Sequence, residues 1–184
     1  MSELFGIFLE NIIPRNIIFA YFLGVLISLV ETAGVRRSLI KGVKFSFGLF
    51  FAAIVGTIIA ASLPLELEFA HGWIFLLTAL GAVFVLQKTG EFQGDFLGVP
   101  RFFLMLAPLV GLQYILVDRG LSVDVMLITA LANSIGFYFG FILIGTIKEQ
   151  VRISEADEIY KYVPTLLISL GVLGMVIKGF AFLY

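Results

Sequence analysis

Few residues in this chain could do chemistry, and most of those sit inside long apolar runs. With no cysteine among 184 residues, the chain has no disulfide, thiolate metal site or cysteine-held cluster of its own. The single histidine, His71, lies beside Trp73, where an aromatic belt at a membrane interface is the default reading. No Ser-His-Asp set, phosphate-cradling loop or carboxylate pair is present, so nothing points to an independent enzyme. What remains are uncharged polar side chains: Gln113 in "LAPLVGLQYIL", and Asn133 with Ser134 in "ALANSIGF". Ser46, Thr57, Thr78 and Ser169 can bond back to their own helices at little cost. Asn133 needs a partner, so it should face another helix or a hydrated path. No charged residue falls in the middle of any run, which argues against a carboxylate proton relay. Glu31 and Asp118 stand at run ends, where a solvated charge is expected.

The elements that must hold these residues follow from composition. The chain is 60% hydrophobic and 14% charged, with a mean hydropathy of +1.09. So small a domain cannot bury that much apolar surface in its own core. Six apolar runs can be drawn, at 12–30, 42–63, 72–87, 101–117, 123–147 and 163–184. Most approach the ~20 residues a helix needs to cross ~30 Å of hydrocarbon. They lack strand-like alternation and are too long for barrel strands, which leaves spanning helices. Glu3 and Glu10, with no basic residue ahead of the first run, do not fit a cleavable signal peptide; the start reads as an interfacial helix or the outer part of the first span. Lipid is therefore the first partner, and no nucleic-acid surface is apparent.

Basic residues set the orientation. Arg36, Arg37, Lys41, Lys44, Lys88, Arg101, Lys148, Arg152 and Lys161 fall on one face, and only Arg15, Arg119 and Lys178 on the other. The positive-inside rule then places both termini outside the cytoplasmic (inner) membrane.

The two halves resemble each other. "IIPRN" at 12–16 returns as "GVPRF" at 98–102. Gly24 aligns with Gly111 and Leu29-Val30-Glu31 with Leu116-Val117-Asp118, at an offset of 87. Gly56-Thr57-Ile58 aligns with Gly145-Thr146-Ile147 at 89, and Leu80-Gly81 with Leu170-Gly171 at 90. Chance identities are common in so apolar a chain, but an ordered series with a slowly drifting offset is not. The expected fold is an all-α polytopic membrane protein, a single membrane domain over 1–184. Its six transmembrane helices form a 3+3 inverted-topology repeat, with units at about 12–87 and 98–184. In each pair Pro-Arg opens the first helix of a unit, with Arg able to snorkel to the headgroups.

In such folds function tends to sit near the midplane, at interrupted helices. The first helix of each unit is expected to be interrupted, at Gly24 and at Pro108 with Gly111. Proline removes a backbone donor and clashes with the preceding turn. Gln113 follows at once and is either a ligand-facing group or a bond to a neighbouring helix. The polar loop "KEQVRISEADEIYKYVP" has Ser154 and Asp157 spaced as a capping-box-like start, fitting a short helix on the cytoplasmic surface or against a soluble partner.

Four stretches carry a family resemblance: "NIIFAYFLGVL", "APLVGLQY", "IGFYFGFILIGTIKEQVRISEAD" and "LLISLGVLGMVIKGF". Together they make the chain resemble the six-helix membrane subunits of the Rnf ferredoxin:NAD complex and the sodium-translocating NADH:quinone reductase, in their RnfA/NqrE-like branch. The resemblance implies a paralogous or identical six-helix partner in a pseudo-symmetric pair, with flavoprotein or iron–sulfur subunits nearby. It also implies a cluster held by cysteines of the first and fourth helices. Here Leu26 and Tyr114 stand in the cysteine places, and neither can replace a thiolate; Asn16 keeps the family's asparagine. No cofactor is then held by this chain, and flavin or iron–sulfur groups belong to partner subunits.

Three functions stay open. The chain is a cluster-free Rnf/Nqr-like subunit, at most non-catalytic in an oxidoreductase complex; or a small inverted-repeat transporter; or a structural subunit. Candidate midplane and ion-path residues are Gly24, Leu26, Pro108, Gly111, Gln113, Tyr114, Asn133 and Ser134.

Overall fold

A computed structural model describes residues 2–32, 34–90, 92–96, 98–118, 122–153 and 163–180. The capping-box pair Ser154 and Asp157 lies outside the described residues. The chain is mainly helical: α1 (Ser2–Ile12), α2 (Ile17–Tyr21), α3 (Val25–Glu31), α4 (Val35–Ala61), α5 (His71–Lys88), α6 (Arg101–Asp118), α7 (Val123–Ile153) and α8 (Val163–Phe180). A 3-10 helix, Leu65–Ala70, leads into α5.

Among the described residues, three helical segments are long and apolar enough to cross a membrane: Val35–Ala61, Glu66–Lys88 and Val123–Ile153. Arg101–Val117 and Pro164–Gly179 are shorter apolar helices. Their outward faces are apolar too. On α4 the exposed Phe47, Phe51, Val55 and Ile58 follow helical spacing along one stripe. On α5, Trp73, Leu77 and Phe84 are likewise exposed. Stripes of this size suit hydrocarbon and not water, and the chain is a membrane protein.

The core lies where α4, α6 and α7 meet. Phe45 of α4 stacks on Phe137 of α7 with ring centroids 4.9 Å apart. Leu49, Leu109, Leu112 and Phe141 are fully buried around them. The start of the chain is a helix of its own, packed along α7.

Two expectations need correcting. The run at 101–117 is not interrupted: α6 passes through Pro108 as one helix. One proline removes one donor and tilts the axis, whereas a helix ends where residues leave the right-handed region. That happens in the first run, at Phe22 (φ 57°) and Gly24 (φ 85°), between α2 and α3. The prolines of the two Pro-Arg pairs also lie just ahead of their helices instead of in the first turn, although Arg101 itself opens α6. Pro14 and Arg15 form a turn before the Asn16 cap of α2. Pro100 ends a two-stranded hairpin, β1 (Asp95–Phe96) and β2 (Val99–Pro100), that runs straight into α6.

Candidate functional site

The break between α2 and α3 is built from local hydrogen bonds. The Phe22 N–H donates to the Ile17 carbonyl and closes α2. Ser28 N–H and its hydroxyl both donate to the Gly24 carbonyl, at 2.9 and 2.7 Å, and open α3. A side chain at Gly24 is ruled out twice. Its φ is left-handed, and a Cβ there would lie 2.5 Å from the Phe137 ring and 3.2 Å from Pro108 Cβ. Leu23 in turn fills the space that a side chain on Gly111 would need. Gly24, Pro108 and Gly111 are therefore brought together, with the break of one helix seated on the proline face of the other.

The other five candidates go elsewhere. Gln113 is fully buried on the α5 side of α6. Its Oε1 accepts from the Thr78 hydroxyl at 2.8 Å, and its Nε2 donates to the carbonyls of Leu109 at 3.0 Å and Phe75 at 3.3 Å. A Cβ on Gly56 of α4 would collide with it. Every polar atom of Gln113 is used, so it acts as a bond between helices. Leu26 and Tyr114 are outward-facing, 59% and 50% exposed, and Tyr114 meets Phe75 edge-on at 4.9 Å. An alkyl chain and a phenol at these positions do not fit an iron–sulfur cluster. Ser134 donates to Ala130 O at 2.8 Å and lines an apolar groove between α4 and α7 with Ser46 and Tyr138. Asn133 is buried against α1, where its Nδ2 donates to Thr129 O at 2.9 Å and to Asn11 Oδ1 at 3.3 Å.

Two groups named in the sequence take roles that sequence reasoning did not assign. Asn16 caps α2 through Oδ1, which accepts from Ile18 N–H at 2.9 Å, while its Nδ2 reaches the Gly136 carbonyl at 2.8 Å. Gly136 is required there, because a Cβ would stand 2.9 Å from that Nδ2 and 3.1 Å from the Ile12 carbonyl. The second group is Glu31, whose side chain is 0% exposed and not the solvated helix-end charge expected. Its carboxylate accepts from Arg101 Nη1 at 3.1 Å and is paired with Lys41. Beside it Lys148 Nζ donates to Leu29 O at 2.6 Å, and Glu149 accepts the Val35 N–H at 2.9 Å, capping α4. Charges from α4, α6 and α7 thus converge on the end of α3. The signal available in the sequence was the density of cations just after Glu31.

Fold and site together define a helical membrane protein with a broken helix packed on a proline-bearing one. No family model matches the chain. It is similar along its whole length to the A component of the ion-translocating oxidoreductase complex of Syntrophotalea carbinolica, with 23% identity over 191 aligned positions covering 98% of this chain and 97% of that protein. The relationship is distant and end to end.

Proposed function

We propose that this chain is an integral membrane subunit of an Rnf/Nqr-like ion-translocating electron-transport complex in the cytoplasmic membrane. It supplies scaffold and an ion path, and holds no redox cluster. The observation that carries this reading is the full-length likeness to a component of an ion-translocating oxidoreductase complex. An end-to-end match supports kinship along the whole chain and not through one shared helix alone. In this reading the chain has six spans in a 3+3 inverted repeat with both termini outside. The seating of the 22–24 break on Pro108 and Gly111 supports it, because sites of such folds lie where the two repeats meet, at an interrupted helix.

The outward Leu26 and Tyr114 face a paralogous or identical six-helix partner in a pseudo-symmetric pair. Flavin and iron–sulfur groups reside in partner subunits, since neither residue supplies a thiolate. Purification from the native membrane in mild detergent tests this. A stoichiometric complex with flavoprotein or iron–sulfur subunits is expected, and a lone homodimer without flavin or iron overturns it. A second reading, a transporter acting without partners, draws on the buried polar side chains of α7. Flux through proteoliposomes holding only this chain would favour it.

A further inference from the structure

We propose that Thr129 and Asn133 of α7, together with Asn11 of α1, form a binding site for a dehydrated monovalent cation, with sodium as the probe. Each of these residues is 1% exposed. Both Asn133 amide hydrogens are committed, to Thr129 O and to Asn11 Oδ1, which fixes the orientation of the amide. Its Oδ1 is left without a hydrogen-bond partner among the described residues, and so is Thr129 Oγ1.

The hydroxyl is the sharper anomaly. Ser28, Ser38 and Ser134 each donate to the carbonyl four residues back, at 2.7, 2.8 and 2.8 Å. That bond is open to any serine or threonine in a helix, and Thr129 does not make it. Thr129 and Asn133 are four residues apart and so share a face of α7. That face meets α1, as the Asn133–Asn11 contact shows. Buried oxygens without partners are costly and are seldom kept without a reason.

The atoms on offer select the guest. They are neutral oxygen acceptors, and the Asn11 and Asn133 nitrogens are committed to bonds within the protein. No carboxylate is among them, so a divalent ion, which draws on acidic ligands, is poorly served. A single positive charge suits neutral oxygens. At 1.5 Å per residue, Thr129 and Asn133 stand about 9 and 15 Å along α7 from Val123. The inference deepens the ion path proposed above and rests on that reading only for the site's depth in the membrane.

Thermal unfolding of the full chain, in whatever assembly it purifies with, is to be followed in NaCl, KCl and choline chloride at equal ionic strength. A ligand that binds only the folded state raises its stability by mass action. Wild type is expected to melt several degrees higher in NaCl than in choline chloride, with the rise saturating as sodium increases. Thr129→Val should abolish the rise and, in choline chloride, melt no lower than wild type, since it removes an oxygen that had no partner. Thr129→Ser, which keeps the oxygen, should keep the rise. Asn133→Asp adds a full negative charge and should lower the half-saturating sodium concentration at least tenfold. Equal melting in all three salts means that water alone occupies the site, and a sodium rise surviving in Thr129→Val means the cation binds elsewhere; either result overturns the proposal. Neither readout uses flux or electron transfer, so losing this site leaves membership of the complex untouched, and the reverse holds.

Discussion

The segment α2–Gly24–α3 and the helix α6 carry matching sequence, yet one is broken and the other runs through. The stronger breaker lies in the unbroken one: α6 holds Pro108 within 18 helical residues. The broken segment has only Gly24, and its pieces are five and seven residues long. Local propensity alone would assign the break to the proline. Packing decides otherwise. The left-handed turn at Phe22 and Gly24 brings Gly24 against Phe137 and Pro108 where no Cβ fits, and α6 provides the surface on which that turn rests. One helix can break because its counterpart does not.

Pieces this short do not hold helical form by themselves, so α3 depends on tethers that α6 does not need. Its end is fastened by Glu31 to Lys41 and Arg101 and by Leu29 O to Lys148. Glu31→Gln should therefore have the largest effect of any single change considered, because it takes the buried counter-charge from the partly exposed Lys41 and Arg101. Breaking one partner of a buried pair costs about 3–5 kcal/mol. Detergent-solubilised Glu31→Gln should unfold far below wild type, and a change under about 1 kcal/mol would show that the cluster is effectively solvated.

Gly24→Ala comes next and tests the comparison directly. It combines a left-handed φ, at about 1–2 kcal/mol, with overpacking against Phe137, at about 1–3 kcal/mol. Pro108→Ala should instead be near neutral, because α6 is already helical and gains back one donor. If the order came out reversed in chemical unfolding, the proline and not the glycine turn would be what organises the pair. Gln113→Ala should cost about 1–3 kcal/mol by removing the bonds from α6 to Thr78 and Phe75 of α5 and leaving a void beside Gly56, and Gln113→Glu should not rescue it.

Much of this was legible in sequence. The apolar runs place α4, α5, α6, α7 and α8, because twenty apolar residues in a row leave little choice. Gly24, Pro108 and Gly111 were singled out in the sequence, and the structure packs the Gly24 turn against Pro108 and Leu23 against Gly111. The continuity of α6 was not legible, since a proline's effect depends on what packs beside it. Glu31 was misread for the same reason: nothing near it in the chain reveals that Arg101, seventy positions on, returns to cover it. The unpartnered oxygen of Thr129 was invisible too, because most buried threonines look the same in sequence and bond back.

The smallest expected effect falls where the two segments are again alike. Leu26 stands two residues after Gly24 and Tyr114 three after Gly111, and both face outward. Leu26→Ser and Tyr114→Ser should each change the stability of the isolated chain by less than about 0.5 kcal/mol, as exposed substitutions usually do. The loss of Tyr114's edge contact with Phe75 makes it the larger of the two. In the native membrane the same substitutions should reduce recovery of the assembled complex, since they place a hydroxyl where a partner's apolar surface is proposed to pack. Quantitative pull-down of wild type and both variants, at matched expression, measures that loss. Unchanged recovery in both would move the pairing surface away from Leu26 and Tyr114, leaving the asymmetry between the two helices an internal matter of folding.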